Sequence, residues 1–165
     1  MTLPPQFKKD NYNNIFIYHY VEEMMSNYGK YITETLNDDD ITRAELPFLL
    51  RIRFGEKTTQ KELVDLFKVS EGYTAKLLRK FEDKNFITRY ENPDNHRIKI
   101  VKLTPEGIEK TDKFIKYIEN WEDKVTSNMT SDEIETLKKL LYKVVTWKKS
   151  WKNPILIEYN HVLCF

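Results

Sequence analysis

Residues 58–104 read TTQKELVDLFKVSEGYTAKLLRKFEDKNFITRYENPDNHRIKIVKLT. Thr59 stands three residues before Glu62, the spacing of a capping box, and Ser70 is a second residue suited to starting a helix. Behind Thr59, Leu63, Leu66 and Phe67 recur at helical spacing and form an inner face, and Lys68 and Val69 make a short link. Behind Ser70, Ala75, Leu78 and Phe81 point inward, with Leu77 a further candidate. Tyr73, Thr74, Lys76, Arg79 and Lys80 are left for the outer face. Asn85 falls where a left-handed residue ends the helix, a conformation Asn tolerates. Two β-prone runs, residues 87–90 and 98–103, flank the turn cluster NPDNH. In the second run Ile98, Ile100 and Lys102 are expected on one face, with Lys99, Val101 and Leu103 on the other.

Upstream, Ile15, Tyr18, Val21, Met25, Tyr28 and Ile32 form one apolar stripe, which predicts a helix over residues 13–36 with Gly29 inside it. Residues 37–40 end it with three consecutive acids that repel one another and prefer solvent. Thr42 and Glu45 have capping-box spacing for a second helix, in which Phe48, Leu49 and Ile52 look buried. Pro47 falls inside that segment, so a bend or break is expected there. Downstream, Thr104 and Pro105 suit the cap and first position of another helix, with Ile108, Phe114, Ile115, Ile118, Trp121 and Val125 on its buried side. Thr130 and Glu133 open a last helix, whose apolar face is Ile134, Leu137, Leu141 and Val144 or Val145. The apolar tail after about residue 149 has no assigned element. The fold class is mostly α with a small β-hairpin, in the order of a winged helix-turn-helix with helices added at both ends.

Composition narrows the function. The 165 residues carry a net charge of +1, with 40% hydrophobic and 32% charged residues, enough for a core and a solvated surface. Residues 1–40 hold 3 basic and 7 acidic groups, residues 41–104 hold 14 and 9, and residues 105–165 hold 10 of each. Positive charge is therefore concentrated on the helix-turn-helix and hairpin block, as groove binding requires. No apolar run is long enough to span a membrane and no secretory leader is visible, so a cytoplasmic protein is expected. A single cysteine, Cys164, excludes an internal disulfide and a Cys cluster for metal, and no cysteine lies near the N-terminus to act as a thiol sensor. His19, His96 and His161 are scattered, and no triad order, phosphate loop or HExxH motif occurs, so neither enzyme, metal nor cofactor is expected. Asp38, Asp39 and Asp40 are adjacent rather than at ligand spacing, which reads as a solvated loop.

The stretch ENPDNHRIKIVKLTPEG resembles the wing signature of the MarR family of transcriptional regulators, through Asp94, Arg97, Leu103, Thr104 and Gly107. ITRAELPFLLRI resembles that family's segment ahead of the helix-turn-helix, so the similarity runs over about residues 40–107. The family's Asp and Arg are usually separated by one residue, whereas two lie between Asp94 and Arg97. Either Asn95 takes the Asp place or the hairpin tip carries an extra residue. The resemblance implies dimerisation helices at 1–40 and 108–165 around a DNA-binding domain at 41–107. It also implies a homodimer on double-stranded DNA at a pseudo-palindromic operator. A small aromatic effector would sit near His19, Tyr20, Tyr28, Tyr31 and Arg51.

The residue chemistry agrees. Ser70, Tyr73 and Thr74 suit base edges or phosphates at the start of a groove-bound helix, with Lys76, Arg79 and Lys80 behind them. Asn95, His96, Arg97 and Lys99 sit at a hairpin able to reach a minor groove. Glu71 repels phosphate unless it accepts from cytosine. The competing reading is a solvated basic face on a winged helix used for protein–protein contact, because fold alone does not fix function.

Overall fold

Thr59, Ser70 and Thr130 each start the helix that the sequence assigns to them. Thr59 Oγ1 accepts the Glu62 N–H at 3.2 Å while Glu62 Oε2 accepts the Thr59 N–H at 2.9 Å. Ser70 Oγ accepts the Tyr73 N–H at 3.1 Å, and Thr130 with Glu133 repeats the reciprocal box. Each cap satisfies backbone donors that a helix start leaves without partners. The computed structural model describes residues 7, 9–36 and 40–147. A 3-10 turn at Lys9–Asn14 precedes α1 (Ile17–Thr35) and α2 (Leu46–Phe54). Then follow β1 (Thr58–Thr59), α3 (Gln60–Phe67) and α4 (Glu71–Asp83). β2 (Ile87–Asn92), β3 (Asn95–Leu103), α5 (Pro105–Val125) and α6 (Ser131–Val145) complete the order. The fold is mostly helical with a three-stranded antiparallel sheet, β3 lying between β1 and β2. The apolar tail, with His161 and Cys164, lies outside the described residues, as do residues 37–39.

Contacts divide the chain into two compact units, residues 1–118 and 119–165. In the first, Ile32, Ile41, Leu49, Leu63, Leu78, Phe81 and Phe114 are core residues with almost no exposure. Asn85 takes the left-handed conformation expected of it, with φ 55°, and Lys68 does the same at the end of α3 with φ 54°. Thr104 Oγ1 caps α5 by accepting the Gly107 N–H at 3.0 Å. A Cβ at Gly107 would lie 1.9 Å from the Phe86 carbonyl oxygen, so only glycine lets α5 start this close to the residue ahead of β2. Gly29 is buried beneath the Arg43 guanidinium, a side-chain tip that can move aside. In the second unit, Lys138 pairs with Glu122 between the end of α5 and α6.

Several sequence expectations change. α1 begins at Ile17, not near residue 13, and of its stripe Ile32 is buried, Ile15 and Tyr28 are half-buried, and Tyr18, Val21 and Met25 are exposed. Thr42 opens a turn rather than a helix: its carbonyl accepts the N–H groups of Glu45 and Leu46. Pro47 consequently stands in the first turn of α2, where its missing N–H breaks no hydrogen bond, and the expected bend is not needed. Leu66 and Ile108 are exposed instead of inner-face, and Val125 at the end of α5 is exposed as well. Ile100 and Val101 are both buried, although they lie on opposite faces of β3. The pairing of β1 with Ile100 and Val101 is a feature the sequence did not announce, because β1 has two residues. α6 has no buried residue: Ile134 and Leu137 are half-buried, and Leu141, Val144 and Val145 are exposed.

Candidate nucleic-acid interface

α4 is anchored from below. Thr74, Leu77, Leu78 and Phe81 are buried, which turns Glu71, Gly72, Tyr73, Lys76, Arg79 and Asp83 outward. Thr74 corrects the sequence reading: its side chain is fully buried, and its hydroxyl donates to the Ser70 carbonyl at 3.2 Å. It lies four residues before Leu78 and seven before Phe81, so helical spacing puts it on the inner face despite its polar chemistry. Lys80 is also less free than expected, with Nζ 2.6 Å from Glu45 Oε2 in a partly buried pair. Burial pushes the Glu45 carboxyl up, but hydrogen bonds from Lys80 and the Thr42 N–H together outweigh it and leave the pKa lowered. Tyr73 is partly exposed and packs edge-on against Phe48, with ring centroids 6.1 Å apart. Ser70 is exposed but spends its hydroxyl oxygen on the cap.

The end of α4 is tied down by charge. Asp40, read as part of a solvated loop, lies 2.7 Å from Lys84 and 3.4 Å from Lys110. The hydrogen bond from Lys84 is the main reason its carboxyl sits below the ordinary value. Such a tie was not visible in sequence, because its partners are 44 and 70 residues apart in the chain.

The wing is a two-stranded hairpin whose tip is organised by asparagines. Asn92 Oδ1 accepts the Asp94 N–H at 2.9 Å, and Asn95 Oδ1 accepts the Arg97 N–H at 3.1 Å. Asn92 pairs with Asn95 and Glu91 with Lys99, so His96, Arg97 and Ile98 stand on β3 without counterparts on β2. The irregular spacing around Asp94 and Arg97 thus appears as a bulge. No ion pair joins Asp94 to Arg97 among the described residues; Asp94 faces Lys57 at 4.0 Å instead. Asn95, His96, Arg97, Ile98 and Lys99 are all exposed, and His96 Nδ1 lies 3.2 Å from Glu91.

One carboxylate links wing and helix. Glu82 on α4 pairs with Arg89 on β2, and its pKa is lowered first by that hydrogen bond and further by the charges of Lys99 and Arg79. The Glu82–Arg89 pair therefore joins α4 to the wing, and the charges of Lys99 and Arg79 are felt at the same carboxylate. Two cationic elements held in a fixed relation suit a polyanion of regular geometry.

Comparison with known proteins decides the family. The MarR family model matches residues 41–99. The multiple antibiotic resistance protein MarR of Escherichia coli is 31% identical over 115 residues, covering 69% of this chain and 80% of that protein. The chain belongs to the MarR family. The HTH-type transcriptional regulator BilQ of Clostridium symbiosum is 26% identical to it over 132 residues, covering 80% of this chain and 92% of BilQ. A solved structure titled multiple antibiotic resistance repressor MarR superposes with a TM-score of 0.68 at 28% identity, covering 79% of this chain and 96% of that one. This MarR-family chain is accordingly a transcriptional regulator and not an enzyme. No helix of the described residues is long and apolar enough to cross a membrane.

The residues expected to hold an effector are more dispersed. His19 sits among Phe7, Phe16 and Tyr18, with ring centroids 6.0, 6.1 and 5.4 Å away and Glu22 at 3.6 Å. Tyr28 and Tyr31 are half-buried, and burial raises the Tyr28 pKa against the opposing charge of Arg43. Arg51 is exposed on α2. Neither the cleft along α6 nor the one beside Arg53 and Lys102 is lined by any of them.

Proposed function

We propose that this protein is a cytoplasmic homodimeric repressor that binds a pseudo-palindromic operator, with α4 in the major groove and the wing at the adjacent minor groove. The observation that carries the proposal is the Glu82–Arg89 ion pair, which ties α4 to β2 of the wing while Arg79 on α4 and Arg97 and Lys99 on the wing stay exposed. Lys76, Arg79, Arg97 and Lys99 are the contacts proposed for DNA, with Ser70, Tyr73 and Asn95 beside them and Lys80 in a supporting place against Glu45. Thr74 takes no part, since it is buried. The exposed apolar residues of α1, including Phe16, Ile17, Tyr18 and Met25, and those of α6 support a second copy of the chain as partner. The repressor named among the solved relatives supports the direction of regulation.

Relief by a small aromatic ligand is the finer part of the proposal, supported by the aromatic surroundings of His19 and the half-buried Tyr28 and Tyr31 on α1. Titration with small phenolic and aromatic acids should release bound DNA, and unchanged affinity across such acids would remove this part.

For DNA binding itself, Arg79→Glu with Lys99→Glu should cost about 1–3 kcal/mol per contact and flatten the salt dependence of affinity. Fluorescence anisotropy on a labelled duplex checks both. Unchanged DNA affinity in the folded double variant would favour a protein–protein module on the same scaffold.

A further inference from the structure

We infer that Gly72 is the point of closest approach between α4 and DNA, an affinity-determining gap in the surface described above that the missing side chain keeps open. The inference rests on the DNA-binding reading and adds a specific residue to it. Gly72 is the second residue of α4 and is exposed. It precedes Lys76 by four residues and Arg79 by seven, so it continues their stripe on the outer face.

Nothing among the described residues asks for glycine there. None of the glycines has positive φ, so conformation is not the reason. Packing is not the reason either: a Cβ at Gly72 meets nothing within 4 Å, whereas at Gly29, Gly55 and Gly107 it would meet an atom at 2.3, 2.2 and 1.9 Å. Gly55 and Gly107 are held to glycine by backbone oxygens of Arg51 and Phe86, Gly29 is buried beneath the Arg43 guanidinium, and Gly72 has no such neighbour. Glycine also weakens a helix relative to alanine, because it has more conformational freedom to lose and leaves the backbone open to water. A residue that helps neither conformation nor packing, and opposes its own helix, points to a requirement outside the chain.

The rest of the face supplies that requirement. Lys76 and Arg79 reach phosphates and base edges only if the α4 backbone lies deep in the groove. A side chain at Gly72 would stand between the helix and the duplex and hold the whole stripe away. The loss should therefore grow with side-chain size and depend little on its polarity.

Full-length Gly72→Ala, Gly72→Leu and Gly72→Gln, compared with wild type, test this on the duplex most enriched by the wild-type protein from a random pool. Thermal midpoints should equal or exceed that of wild type. Affinity should fall slightly for Ala and by about tenfold or more for both Leu and Gln at fixed salt. Leu and Gln variants that bind within about twofold of wild type would overturn the inference. A lowered thermal midpoint would overturn it as well, by showing that the fold itself needs the glycine. The wild-type arm separates the two levels, because a wild type that enriches and binds no duplex removes the DNA reading itself.

Discussion

α4 and α6 start alike and end up in different surroundings. Each is capped by a hydroxyl, Ser70 or Thr130, and each carries apolar residues at helical spacing. α4 buries Thr74, Leu77, Leu78 and Phe81, whereas α6 buries no residue and exposes Leu140, Leu141, Val144 and Val145. Amphipathic spacing says that a helix has a face needing an apolar partner, but not whose surface provides it. For α4 the partner is the core beneath it, which leaves its other face free for a ligand. For α6 we assign the partner to a second copy of the chain.

The sharpest way to break that contrast is to damage each apolar face in turn. Phe81→Ala should destabilise the folded protein by about 3–5 kcal/mol in denaturant unfolding, the range for emptying a fully buried aromatic site. Leu141→Asp should leave the α4 core intact but yield monomers in light scattering, and lower operator affinity by roughly a hundredfold through lost avidity. A dimeric Leu141→Asp protein would place the partner of α6 elsewhere. On the ligand side, Arg97→Ala should cost about 1–3 kcal/mol of binding if the bulged wing reads the groove, with stability unchanged because the side chain is exposed. Ser70→Ala should cost about 1 kcal/mol of stability by removing the cap on Tyr73 N–H.

The smallest expected effect concerns acid. Glu82 and Glu45 both have folded-state pKa values below the ordinary one, the first chiefly through Arg89 and the second through Lys80 and Thr42 against the opposing effect of burial. Their contribution is therefore full above the unfolded carboxylate pKa of about 4.3 and is lost as pH falls through the lower folded values. Stability should be flat from neutral pH down to mildly acidic conditions and then fall. Glu82→Gln should shallow that fall, and an unchanged acid limb of the unfolding curve would show that the Arg89 pair contributes nothing.

What could be read directly in the sequence were the local signals. Thr59, Ser70, Thr104, Thr130 and Asn85 act through neighbours two to four residues away, and each does what its chemistry predicts. The wing hairpin was legible for the same reason. Thr74 carries conflicting signals, a polar side chain that suits the surface and a spacing from Leu78 and Phe81 that points inward, and the spacing wins. Pro47 mimics a helix break in sequence because the capping-box spacing of Thr42 and Glu45 belongs to a turn ahead of α2 and not to its first turn. The ties of Lys80 to Glu45 and of Lys84 to Asp40 join residues 35 and 44 positions apart, and no local pattern encodes them. Gly72 has a local signal as well: a glycine inside a helical segment, on the stripe of Lys76 and Arg79.

The central claim is that two copies of α4 and its wing read DNA together. Selection of bound sequences from random duplex DNA by the full-length protein, at stated salt, tests it most directly. The account predicts enrichment of a pseudo-palindrome whose half-site centres lie about one helical turn apart, roughly 34 Å. A pool with nothing enriched, or with a single unpaired half-site, would contradict it.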